Sequence, residues 1–166
     1  MRILIIRHGI AEQSEGNGKG DADAQRELTK AGRRKMRKAA EGLTAIIPSV
    51  DLIATSPLVR ASQTAEIVAK AFGGVRTVQI AALAPRKAPA QLVEWLNGQS
   101  SDTTIALVGH EPHLSTFLCW LLTGLQESFV DLKKGGAAMM EIAAPVSAGR
   151  GKLLWLCKPS QLRRAR

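Results

Sequence analysis

The chain has 166 residues, 45% of them hydrophobic and 22% charged, and carries a net charge of +9; this suits a soluble globular protein with one sizeable core, a single domain over 1–166. No apolar run approaches the roughly 20 residues of a membrane-spanning helix, and the N-terminal "ILII" is too short for a signal-peptide core. Cys119 and Cys157 sit in apolar stretches with no CxxC or zinc spacing, so a cytoplasmic protein with reduced, buried thiols is expected.

In chain order, strands and helices alternate. "RILIIRH" reads as a fully buried strand, followed by the polar, Gly-rich loop "GIAEQSEGNGKGDADAQREL". Thr29 is the expected N-cap of a helix running to about Ile47, with Met36, Ala40, Leu43 and Ile47 on its apolar face. "DLIATS" is a second strand. Ser56 is expected to cap the next helix, with Pro57 at its first position and Gly73-Gly74 closing it. "VRTVQIA" gives a third strand, "LAPRKAP" a loop and "AQLVEWLNG" a short helix. "TTIALVG" is a fourth strand, and "PHLSTFLCWLLTG" an apolar helix opening on proline. "GAAMMEIA" and "KLLWLC" form a final hairpin pair. The pattern predicts an α/β fold, a three-layer α/β/α sandwich around a mostly parallel sheet.

The excess charge is local. "KAGRRKMRK" (30–38) holds six cations and no acid, and the tail "QLRRAR" adds three. Helical spacing leaves Arg33, Arg34, Arg37 and Lys38 on the face away from the core. They read first as a solvated face and second as a docking surface for an acidic protein. With no tyrosine and few aromatics, stacking platforms are scarce and nucleic acid is not expected as a partner.

In open parallel sheets, ligands bind beyond the carboxyl ends of the strands. Arg7 and His8 end the first strand, Arg60 lies in the first turn after the second, and His110 follows the fourth. Two arginines and two histidines thus reach one edge, beside two helix N-termini, and suit a phosphate group. Arg60 opposes the dipole of its own helix, so an anion is expected beside it. No P-loop, GxGxxG or metal-ligand spacing accompanies these residues; neither a metal nor a cofactor is expected. His113 is read as lying behind the site or on the surface, not as a ligand.

Arg7-His8-Gly9, "SPLVRASQTA" (56–65) and "LVGHEP" (107–112), in that order, resemble the three signature blocks of the histidine phosphatase superfamily. The short length and the GHEP form most resemble its SixA-type phosphohistidine phosphatases. The resemblance implies a histidine phosphatase-like fold. It also implies His8 as the nucleophile that becomes phosphorylated, and Arg7, Arg60 and His110 as binders of the phosphoryl oxygens. Gly9 is grouped with these on the substrate-binding side. Nearby cations are expected to keep His8 neutral, whereas His110 is more useful protonated, as a donor. The larger family places an acidic proton donor after the third strand; here "AALAPRKAPAQ" has no acid. Glu12, Glu15, Asp21, Asp23 and Glu111 remain as candidates, each read first as a solvated loop residue. Imidazole leaves more readily than alkoxide, so the expected substrate is phosphohistidine on a protein of the histidine-containing phosphotransfer type, handled by a monomer. The alternatives are a small-molecule phosphomonoesterase using a loop carboxylate, and a non-catalytic phosphate-binding docking module.

Overall fold

The first strand, β1 (Arg2–Arg7), is apolar at every position from Ile3 to Ile6, and all four side chains are fully buried. Successive strand residues face opposite sides, so such a run requires cover on both faces. The computed structural model describes residues 1–13 and 21–165, and it supplies that cover. The remaining elements are α1 (Asp21–Ala24), α2 (Lys30–Ile46), β2 (Leu52–Thr55), α3 (Val59–Ala71), β3 (Thr77–Gln79), α4 (Pro89–Asn97), β4 (Thr104–Gly109), α5 (His113–Thr123), β5 (Ala137–Ile142), β6 (Gly151–Cys157) and α6 (Pro159–Leu162). One sheet of order β3-β2-β4-β1-β5-β6 runs through the molecule. β1 to β4 are mutually parallel, whereas β5 and β6 are antiparallel additions on one side.

Ile3 and Ile5 join Leu92 and Leu96 of α4 and Leu114, Phe117 and Leu118 of α5 in one core. Leu4 and Ile6 join Met36 and Leu43 of α2 and Ala61, Ala65 and Val68 of α3 in the other. The expected three-layer α/β/α sandwich is therefore the observed architecture. No helix among the described residues is long and apolar enough to cross a membrane.

Local signals held where a side chain acts on its own backbone. Thr29 caps α2, its Oγ1 accepting from the Gly32 amide at 2.8 Å. Gly124 ends α5 in the left-handed conformation. Two expectations fail. α3 starts at Val59 with Leu58 as its N-cap, not at Pro57 behind a Ser56 cap. The third strand covers only Thr77–Gln79, because Ala81–Leu83 tighten into a 3-10 turn that buries Leu83.

Two glycines of α2 allow close approaches that position the site. A Cβ at Gly32 would stand 2.1 Å from the carbonyl oxygen of Ile10, so the helix can lie directly against the turn after β1. A Cβ at Gly42 would stand 1.7 Å from the carbonyl oxygen of Leu162, where α6 packs on the same helix. An ordinary exposed helical glycine gains about 1 kcal/mol on becoming alanine. Gly42→Ala is expected to do the opposite, losing about 1–3 kcal/mol through overpacking against backbone. A fall in the urea midpoint at unchanged m-value is the expected reading, and a rise would contradict the packing described.

Candidate active site

Parallel register brings three strand ends to one level. Arg7 lies opposite Gly109, and Thr55 opposite Val108. The pairing runs on past the strands: the His8 amide donates to Gly109 O at 3.0 Å, and the Ser56 amide to Val108 O at 3.0 Å. The His8 and His110 rings consequently stand 5.1 Å apart, centroid to centroid. Arg7, His8, Arg60 and His110 all line one open cavity of about 930 Å³.

The turn after β1 fixes the tautomer of His8. Its Nδ1 lies 2.7 Å from Gly9 O. A carbonyl can only accept, so Nδ1 carries the proton and Nε2 carries the lone pair. The Gly9 amide donates to Thr64 Oγ1 at 3.1 Å, and the Thr64 hydroxyl donates to Arg60 O at 2.7 Å, pinning that turn to the first turns of α3. Gly9, grouped from the sequence with the substrate binders, thus has its amide and carbonyl engaged within the protein and does not line the cavity.

Burial sets the charge states. It is the main cause that lowers His8 to about 4; the hydrogen bond to Gly9 opposes it, and the charges of Arg60, Arg7 and Lys134 reinforce it. His8 is therefore neutral at pH 7 as expected, though desolvation outweighs the cations that were expected to cause it. His110 is also lowered, to about 3, by burial first and then by His8 and Arg60. His110 thus differs from the protonated donor envisaged for a phosphate-bound site: in the cavity as it stands burial favours its neutral form. Its Nε2 hydrogen-bonds Ser56 Oγ at 2.8 Å, and Ser56 Oγ in turn accepts from the Leu58 amide at 3.3 Å. The serine that failed as a helix cap instead orients a site histidine.

The anion expected beside Arg60 is Asp23. Arg60 is only 4% exposed; it donates through Nη1 to Asp23 O at 2.7 Å and through Nη2 to Asp23 Oδ2 at 3.1 Å. Asp23 also pairs with Arg26 at 3.1 Å, so it is no solvated loop residue. Glu111 is likewise partly buried: Oε1 accepts from the Ser115 amide at 3.0 Å, and burial raises its pKa. Glu12 is exposed, Asp21 begins α1, and Glu15 lies outside the described residues.

Six buried side-chain nitrogens among the described residues make no hydrogen bond, although one of them, Arg26 Nε, lies 3.1 Å from Asp23 Oδ1 as an ion pair. They are Nε of Arg7, Arg26 and Arg60, Nδ1 of His110, and both ring nitrogens of His113. All five residues line this one cavity. An unpaired buried polar group costs about 1–3 kcal/mol, so such a concentration marks a place built for a ligand rich in acceptor oxygens. His113, expected behind the site or at the surface, is instead buried in the cavity wall. Sequence reasoning also missed Arg26, Arg86, Lys87 and Lys134, which bring further cations to the same wall. Among the described residues no group of three or more His, Cys, Asp or Glu side chains is placed to hold a metal ion.

The family model of the histidine phosphatase superfamily (branch 1) matches residues 3–88, a span that contains Arg7, His8 and Arg60. The chain belongs to the histidine phosphatase superfamily. An uncharacterized protein of Picosynechococcus sp. is 33% identical over 138 residues, which are 82% of each chain. Among solved structures, the protein histidine phosphatase SixA complexed with tungstate is similar over 98% of this chain and 99% of its own, with a TM-score of 0.82 at 22% identity. The alpha-ribazole phosphatase from Shigella flexneri is similar over 96% and 97%, with a TM-score of 0.72 at 20% identity. At those identities the two structures share this superfamily member's fold.

The buried histidines make the stability of this histidine phosphatase domain depend on pH in a stated direction. In the unfolded chain each takes up a proton near pH 6.5, whereas His8 resists to about 4 and His110 to about 3. Between those values the unfolded chain binds more protons, so stability is fully present above about pH 6.5 and is lost as pH falls towards 4. His113, also lowered by burial, acts in the same sense, and Glu111, raised, in the opposite one. Urea midpoints at pH 7, 5.5 and 4.5 are expected to fall in that order, and less steeply in a His110→Asn variant. A flat series would show that these rings are not held neutral.

Proposed function

We propose that the chain is a phosphohistidine phosphatase, and that residues 1–166 form one catalytic domain acting on a phosphorylated protein. The observation that carries the reading is the state of His8: a neutral imidazole, its proton held on Nδ1 by Gly9 O, in a cavity surrounded by cations. Nε2 attacks phosphorus, the new N–P bond forms, and the bond from phosphorus to the substrate's imidazole nitrogen breaks; the substrate ring, protonated on its other nitrogen, departs as neutral imidazole. Water then attacks the phosphoryl group on His8, releasing inorganic phosphate and restoring the lone pair. Arg7 and Arg60 stabilise the equatorial oxygens, with the phosphoryl group taking over from Asp23 as partner of Arg60. Neutral His110 is oriented by Ser56 at the same oxygens. No step uses a metal or a cofactor. The likeness to SixA supports a phosphoramidate substrate, and so does the absence of an acid from the loop after β3, whose Arg86 and Lys87 line the cavity.

One observation favours a second reading. The Glu111 carboxyl lines the cavity and is raised by burial, as a proton donor to an alkoxide leaving group would be. A small-molecule phosphomonoesterase would use it so, and the fold is shared with an alpha-ribazole phosphatase.

His8→Ala is expected to abolish turnover, and acid quench of the native enzyme to trap an acid-labile phosphoryl group on His8. Arg60→Ala is expected to lose about 10²–10³ in rate; a chelator is expected to change nothing. Phosphohistidine protein, free phosphohistidine and an activated aryl phosphate are expected to turn over at least about 10²-fold faster than a sugar phosphate. Glu111→Gln is expected to leave phosphohistidine turnover within a few-fold. Efficient sugar phosphate turnover that disappears in Glu111→Gln would establish the second reading instead.

A further inference from the structure

A smaller hollow of about 170 Å³ adjoins the active-site cavity and shares Lys134 with it. It lies where α2, α6 and the turn after β1 meet, the meeting that Gly32 and Gly42 make possible. Met36, Ala39 and Pro159 give it apolar walls, and Lys35, Lys134 and Arg163 give it a cationic rim. Among the described residues no carboxylate lines it. Among the described residues, none of the three rim cations lies within 4.0 Å of a carboxylate.

That last fact separates these cations from others nearby. Arg33, expected on the free basic face of α2, is half-buried and bound to Glu27 at 2.8 Å. Lys133 is paired with Asp131. Lys35, Lys134 and Arg163 therefore add positive charge beside the site, as Arg86 and Lys87 do within it, and the exposed Arg34, Arg37 and Lys38 extend it along α2. Charge complementarity calls for carboxylates, the apolar walls call for a small apolar side chain between them, and continuity through Lys134 places both beside the phosphoryl pocket.

Resting on the phosphoprotein reading above, we propose that this hollow docks an acidic segment of the substrate protein. An apolar side chain of that segment packs between Met36, Ala39 and Pro159. Flanking carboxylates meet Lys35, Arg163 and Lys134, and the neighbouring phosphohistidine is delivered to His8. The surface selects the substrate and takes no part in the chemistry.

The test uses the full chain and two labelled peptides, each carrying a leucine near a histidine, one flanked by Asp and Glu and the other by Lys. By fluorescence anisotropy the unphosphorylated acidic peptide is expected to bind about tenfold tighter, as two or three rim ion pairs warrant, and to lose that advantage in high salt. Lys35→Glu combined with Arg163→Glu is expected to reverse the preference, and the pair of alanine variants to erase it. Urea midpoints verify folding. After phosphorylation of the histidines, kcat/KM on the acidic peptide is expected to fall about tenfold in the charge-reversed variant, with aryl phosphate turnover within twofold of native. Equal binding of the two peptides, a preference that survives charge reversal, or equally tight binding of an oligonucleotide of the same charge would overturn the proposal. Selective binding of the acidic peptide without hydrolysis of its phosphohistidine, while aryl phosphate turns over, would overturn the phosphohistidine reading and leave a docking surface for acidic protein.

Discussion

A guanidinium taken out of water must find an anion, and Arg60 organises the site around that requirement. Its residue is 4% exposed, in the first turn of α3, where the helix dipole adds to its positive charge. A buried charge whose partner is removed costs about 3–5 kcal/mol. Asp23, on the short helix α1, supplies the partner with one carboxylate oxygen and one backbone carbonyl. The loop after β1 is thereby tied to α3 across 37 positions of sequence. A phosphoryl group offers the same acceptor chemistry with more charge. Exchanging one for the other requires Asp23 to yield its place, and Arg26 is already within 3.1 Å to receive it.

The same burial sorts the groups into roles. Desolvation opposes every charge in the cavity, but a guanidinium, which starts far above neutral pH, stays protonated when lowered, whereas an imidazole that starts at 6.5 does not. One physical cause therefore leaves the guanidinium charged and the imidazole with a free lone pair. The carbonyl of Gly9 completes the arrangement, since desolvation alone would leave the tautomer open. With the proton fixed on Nδ1, Nε2 is the nitrogen left to react.

How much of this the sequence discloses depends on how far each interaction reaches along the chain. A strand that is apolar throughout and stops at Arg7-His8, a threonine three residues before the amide it caps, and a glycine past the end of α5 are short-range facts, and they read correctly. Ser56 misled for the same reason: Ser-Pro is a local helix-start signal, while the bond that decides its orientation goes to His110, 54 positions away. Asp23 looked like one acid in a polar loop because nothing near it in sequence points to Arg60. Lys134 was missed although a signal existed. β5 is antiparallel to β1, so the segment leading into it must start at the carboxyl edge. The amide of Gly135 there donates to the carbonyls of both Arg7 and His8.

The balance of charge in the cavity finally bears on what it accepts. Among the described residues six cationic side chains line it against two carboxylates, one of them already committed to Arg60 and Arg26 and the other to the start of α5. Such a field favours a dianion, but Glu111 apart it offers no carboxyl proton to a departing alkoxide, which needs a proton rather than a counter-charge. Arg86 and Lys87 occupy the loop where larger relatives, by resemblance, carry the acid. A phosphohistidine ring protonated on its other nitrogen escapes that need, because it departs as neutral imidazole, far less basic than an alkoxide oxygen. On the phosphohistidine reading proposed above, the cations that would bind the phosphoryl group are thus also the ones that displace an acid from the loop after β3.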